Sequence, residues 1–168
     1  MTAAPPGQYP FAEGFQLRVV ALALVDRLFY ARHERELDPA YFTAPYAGDL
    51  VRVVAEFHAA HRAVPSRELF VELVADAAKS RGLKPAVADG WRAAAEKVAA
   101  VPASDVGYVR EKLLQWTRKQ VLSVTAMRLA SMYEDADRTG AGPDVDEIQR
   151  VMTDAVALCA DRQGGYLD

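Results

Sequence analysis

The chain is short of cysteine, of positive charge and of long apolar runs, and each shortage removes a class of function. Cys159 is the single cysteine in 168 residues. One thiol makes no internal disulfide and builds no cysteine zinc site. Flanked by Val156 and Leu158, it reads as a small buried hydrophobe in a reducing compartment. A net charge of −3 is the wrong sign for broad attraction to a phosphate backbone. No apolar stretch reaches the roughly 20 residues that a bilayer span takes. Residues 1–10 hold Pro5, Pro6 and Gly7 but lack the basic start and apolar centre of a signal peptide. Together these features read as a cytoplasmic protein.

Catalytic signatures are scarce as well. No glycine is followed by lysine, which removes the Gly-x-x-x-x-Gly-Lys-Ser/Thr loop that cradles nucleotide phosphates. Gly-x-Gly-x-x-Gly is absent, and no serine or threonine sits in a nucleophile-elbow pattern. His58 and His61 lie three apart on a helical stretch, but a metal site needs further well-placed ligands, so they read as solvated or rim histidines. The acid pairs Glu34/Glu36 and Asp135/Asp137 lie in charged surroundings and read as solvated faces rather than acid–base couples. Neither an enzyme's chemistry nor a cofactor or metal site follows from these residues.

What remains is rich in helix formers. Half the residues are hydrophobic and a quarter charged, a globular mixture of one domain's length. Alanine is abundant and β-branched runs are short, which favours helix. Phe15, Leu17, Val20, Ala21, Leu24 and Leu28 follow helical spacing, with a break or bend near Asp26 and a stop at Leu37-Asp38-Pro39. After an aromatic linker (Tyr41, Phe42, Pro45, Tyr46), Asp49 is placed to cap a helix whose face is Leu50, Val53, Val54 and Phe57. Ser66 caps the next, with Leu69, Phe70, Leu73, Val74 and Ala77 as its stripe and Gly82 as its left-handed end. A further helix over 86–100 turns Trp91, Ala94 and Val98 inward.

Beyond Pro102, Ser104 or Asp105 caps a helix reaching to about Asp137, far above the usual ~11–12 residues. Its apolar residues fall on two lines: Leu113, Trp116, Val124 and Met127 on one, Leu122, Ala126, Leu129 and Tyr133 on the other. A helix apolar on two sides has two partners. The turn Thr139–Pro143 and a capping-box-like start at Asp144 and Glu147 lead to a last helix marked by Ile148, Val151, Met152, Ala155 and Cys159 or Leu158. A short loop makes these two an antiparallel hairpin. Arg110, Lys112, Arg118, Lys119 and Arg128 give the long helix a basic cast, suited to a partner protein or, as a weaker reading, to phosphate contacts; Glu111, Glu134 and Asp135 dilute it.

The order of parts carries a resemblance. Phe15-Gln16-Leu17 through Leu28 leads to Leu37-Asp38-Pro39-Ala40-Tyr41-Phe42. Then come Leu50-Val51-Arg52-Val53-Val54-Ala55-Glu56-Phe57, Pro65-Ser66 and the closing hairpin, with Tyr108-Val109-Arg110-Glu111-Lys112-Leu113 opening it. From about Phe11 to Leu167 this resembles the N-terminal domain of DnaB-like replicative helicases, in its phage-type form.

The resemblance implies an all-α domain in four parts. They are a flexible lead at 1–10, a helical globular subdomain at 11–102, a helical hairpin at 103–162, and the start of an interdomain linker at 163–168. It implies a non-catalytic collar on a hexameric ring, with ATP hydrolysis in a following domain. The collar's partners would be primase and the helicase loader, with no metal, no membrane and no direct grip on nucleic acid. The interface would draw on Leu113, Trp116, Leu122, Val124, Met127, Leu129 and Tyr133 of the long helix and Ile148, Val151, Met152 and Ala155 of the last. Arg110, Arg118, Lys119 and Arg128 are the weaker contacts. Two alternatives stand beside it: a free-standing phage or bacterial adaptor that engages a helicase, and a helical DNA-binding regulator.

Overall fold

The computed structural model describes residues 13–102 and 106–160. Every regular element among them is helical. The helices are Glu13–Val25 (α1), Arg27–His33 (α2), Ala47–His61 (α3), Arg67–Ser80 (α4), Pro85–Ala99 (α5), Val106–Thr139 (α6) and Val145–Ala160 (α7), with one 3-10 turn at Pro39–Tyr41. Two compact units divide inside α6, the first ending at Leu113 and the second beginning at Leu114. The cap expected at Ser104 or Asp105 lies outside the described residues, as do the lead at 1–10 and the exit at 163–168.

In the first unit, α1 is the central strut. It packs against α2, α3 and α5 and is buried almost all round, from Phe15 to Leu24 with only Arg18 exposed. A helix enclosed in this way needs no polar face, which is why its sequence is nearly continuous in Val, Leu and Ala. Its one buried polar side chain, Gln16, is satisfied across the fold. Gln16 Oε1 accepts from the amides of Thr43 (2.8 Å) and Ala44 (2.9 Å), and its Nε2 donates to Thr43 Oγ1 at 3.0 Å. That clamps the aromatic linker onto α1.

The break read near Asp26 is present. Asp26 leaves the helix, and its carboxylate caps α2 by accepting from the amides of Leu28 (2.9 Å) and Phe29 (3.0 Å). Leu28 does not join the core; α2 buries Phe29 and Tyr30 and leaves Leu28 66 % exposed, because the break resets the helical phase.

The cap of α3 is also corrected. Tyr46, with φ at +64°, occupies that position, and Asp49 lies inside the first turn, bonded to Arg52 at 3.2 Å. Gly48 fits there because a Cβ would come within 2.7 Å of the Pro39 carbonyl oxygen. The α3 face then buries Leu50, Val51, Val53 and Val54.

Ser66 Oγ accepts from the Leu69 amide at 3.2 Å, so α4 is capped as its sequence reads. Phe70, Val74 and Ala78 are its buried line; Leu69 is left 37 % exposed. Gly82, φ +61°, closes the helix by accepting the left-handed turn, its amide bonded to Lys79 O and that of Leu83 to Ala78 O. The turn returns the chain so that α5 packs on α4, with Trp91, Ala94, Ala95 and Val98 inward. Arg81 ties the ends together, pairing with Glu56 at 2.7 Å and standing 5.3 Å over the Trp91 ring.

In the second unit α7 runs back along α6. Arg118 Nε donates to the Cys159 carbonyl (3.2 Å) near one end, and Arg128 pairs with Glu147 (2.8 Å) nearer the turn. As residue numbers rise along α6, those of its partners fall along α7, which is antiparallel packing. Asp144 caps α7 by accepting from the Glu147 amide at 3.1 Å, while the Glu147 carboxylate, instead of returning the bond, is held by Arg128 and Arg150.

Candidate functional site

The chain's candidate chemistry resolves into structural pairs. Glu36, expected on a solvated face, is buried at 2 % exposure, and its Oε1 meets His33 Nδ1 at 3.0 Å. It therefore tethers the end of α2 rather than facing water. His58 stacks on Tyr30 with centroids 4.6 Å apart, and His61 on Phe57 at 4.5 Å. Burial first, and then the charge of Glu34, push the Tyr30 hydroxyl above its usual titration range. Among the described residues no group of three His, Cys, Asp or Glu side chains could hold a metal. A shallow, partly open groove lined by Arg18, Leu22, Arg67 and Val109 has room for little more than one water molecule, far below the size of a small-molecule site. No helix among the described residues is long and apolar enough to cross a membrane.

The basic residues of α6 are largely engaged within the chain. Arg110 pairs with Asp26, Lys112 with Glu111, Arg128 with Glu147, and Arg118 bonds the Cys159 carbonyl. Lys119 is exposed and likewise has a partner within the chain. An Arg already paired with a carboxylate offers less net charge to a phosphate.

The apolar interface candidates divide into two sets. Leu113, Trp116, Val151 and Ala155 are buried within the chain; they build the fold and present nothing to a second molecule. Val124, Leu129 and Ile148 are half-buried, as is Cys159, which was expected to be fully enclosed. Leu122 (60 %), Met127 (60 %), Tyr133 (53 %) and Met152 (52 %) are open, and so are Val145 (68 %) and Val156 (66 %), which sequence reasoning passed over. Their signal was the spacing 145, 152, 156, a second line on α7 beside the inward one of 151 and 155.

Helical geometry places these open residues. The α7-facing line of α6 runs through Leu114, Arg118, Val121, Thr125 and Met132, all half-buried or buried. At 3.6 residues per turn, Leu122, Ala126 and Tyr133 stand roughly a quarter turn from that line. On α7, Val145, Met152 and Val156 stand roughly a quarter turn from the inward Val151 and Ala155, in the same rotational sense. In an antiparallel pair of right-handed helices, equal offsets fall on the same side. Leu122, Ala126 and Tyr133 therefore share one broad face of the hairpin with Val145, Met152 and Val156. Met127 points to the other side.

No family model, no curated protein and no solved structure matches the chain.

Proposed function

We propose that this chain is a non-catalytic assembly domain that associates with copies of itself through the open side of the α6–α7 hairpin. In this reading it acts as the N-terminal collar of a DnaB-like replicative helicase, working in the cytoplasm. What supports the reading is the two-helix apolar face centred on Leu122, Ala126, Met152 and Val156, on which each of the three larger side chains is at least half exposed. Contiguous apolar surface of this kind marks an interaction site rather than ordinary surface scatter. The order of motifs from Leu37-Asp38-Pro39 through Pro65-Ser66 to the hairpin adds the helicase context: a hexameric ring, with primase and the helicase loader as partners.

The test is light scattering on the wild-type chain and on the double variant Leu122→Glu/Met152→Glu. Both side chains lie outside the core, so circular dichroism should be unchanged. The wild type is expected to be oligomeric and the variant monomeric. A wild type that stays monomeric at high concentration and binds no cognate primase would sink the reading.

A further inference from the structure

A contact between like faces related by a two-fold axis closes at two copies; growth to a ring takes a second and different contact. Resting on the reading above, we propose that the outward face of α2 is that second surface. It receives the acidic tip of the hairpin from another copy of this chain.

The two surfaces are complementary in both charge and polarity. On α2, Phe29 and Tyr30 point inward, and the opposite face presents Leu28 at 66 % exposure beside exposed Ala31. Arg27, Arg32 and Arg35 surround them, all exposed, and none has an ion-pair partner among the described residues. The neighbouring Asp26 does not cancel them, because its carboxylate is occupied by the amides of Leu28 and Phe29 and by Arg110. Glu34 lies to the Tyr30 side of the helix, where it acts on the Tyr30 hydroxyl.

The hairpin tip is the converse. Arg138 is taken by Asp135, and Arg150 and Arg128 by Glu147. Glu134, Asp137 and Asp146 are left exposed, without an ion-pair partner among the described residues. Beside them Tyr133 (53 %) and Val145 (68 %) supply apolar area. Leu28 therefore meets an apolar counterpart while three guanidinium groups meet three carboxylates, which have the planar geometry that Arg binds best. A nucleic-acid backbone would answer the arginines but leave the central leucine against phosphates. The tip lies at the end of the open face, offset from the centre of the two-fold contact: Ala126 and Tyr133, like Val145 and Met152, are seven residues apart, about 10 Å at 1.5 Å per residue.

The test uses two charge-reversed variants of the full chain, R27E/R32E/R35E and E134K/D137K/D146K, studied by light scattering alone and mixed. The wild type is expected to exceed a dimer at low salt. It should fall back to one in about 1 M salt, where the screening length drops to about 3 Å. Each variant alone should stop at the dimer, with its higher-order association constant reduced at least about tenfold. The mixture should regain the larger species, because each reversed face then finds an opposite one.

A wild type that is never larger than a dimer overturns this proposal and leaves the hairpin contact standing; a monomeric wild type removes both. Variants that assemble like the wild type, or a mixture that fails to recover, overturn it as well. So does loss of duplex-DNA binding in R27E/R32E/R35E with assembly unchanged.

Discussion

Gly90 offers the sharpest check on the packing of the first unit. It sits inside α5, where alanine is worth about 1 kcal/mol more than glycine by helix propensity alone. Its backbone, however, lies under the ring of Tyr46. A Cβ at position 90 would come within 2.6–2.7 Å of Cε2, Cζ and Oη of that ring. The ring grows from a backbone at φ +64°, which any non-glycine residue adopts at a cost.

Gly90→Ala must push aside the outer end of the half-buried Tyr46 side chain, and with the ring kept between its neighbours such overpacking costs about 1–3 kcal/mol. Set against the propensity gain of about 1 kcal/mol, the net expectation is a loss of about 1 kcal/mol. In a Tyr46→Gly background the ring is gone and the left-handed residue is relaxed. There Gly90→Ala should stabilise by about 1 kcal/mol. The sign thus reverses between backgrounds, and the coupling energy of the cycle is about 2 kcal/mol. Urea denaturation of the four proteins, followed by far-ultraviolet circular dichroism, measures it. The same sign of effect in both backgrounds would refute the proposed contact.

Two further outcomes follow from buried polar groups. Thr117 Oγ1 is buried with no hydrogen-bond partner among the described residues; Thr117→Val keeps the shape and removes that cost. It should stabilise by about 1 kcal/mol, raising Tm by about 2–4 °C; a fall in Tm would show that the hydroxyl is satisfied. Tyr30 is held above its ordinary pKa of 10.0 by burial and then by Glu34. A raised acid pKa means that the folded state resists ionisation, so its contribution is whole below pH 10 and is lost as pH climbs beyond it. Tyr30→Phe should flatten the alkaline decline of stability in urea melts above pH 10, and an unchanged slope would assign that decline to other groups.

Much of the all-α architecture was legible because local chemistry and tertiary packing agree. Ser66, Gly82 and Asp144 sit at helix ends where their side chains or backbone freedom satisfy the terminal amides and carbonyls, and each is where its spacing put it. Asp26 could be read as a break for the same reason: an aspartate that caps the next helix ends the one before. The failures come from long-range packing. Asp49 is a good capping residue by type, but the fold of the aromatic linker gave that position to Tyr46, whose ring needs Gly90 from forty-four residues away. Glu36 looked solvated among Glu34, Arg32 and Arg35, yet the turn after α2 folds it inward onto His33.

On the hairpin, periodicity revealed two apolar lines on α6 but could not rank them. Leu113 and Trp116 proved to be core, whereas Leu122 and Tyr133 are open. The open line of α7 was hidden because Val145 and Val156 flank a stronger inward line. Knowing that the helices are antiparallel is what puts the two open lines on one side.

The central claim is that this side of the hairpin meets a second copy, and an intermolecular distance tests it directly. Cys159→Ser clears the native thiol, and a spin label can then be placed either at Ala130→Cys, on the rim of the open face, or at Asp154→Cys, on the opposite side of α7. Pulsed dipolar spectroscopy on each labelled chain should give a short, narrow intermolecular distance from position 130 and a longer one from position 154. No intermolecular coupling from either position, or a shorter distance from 154 than from 130, would contradict the account.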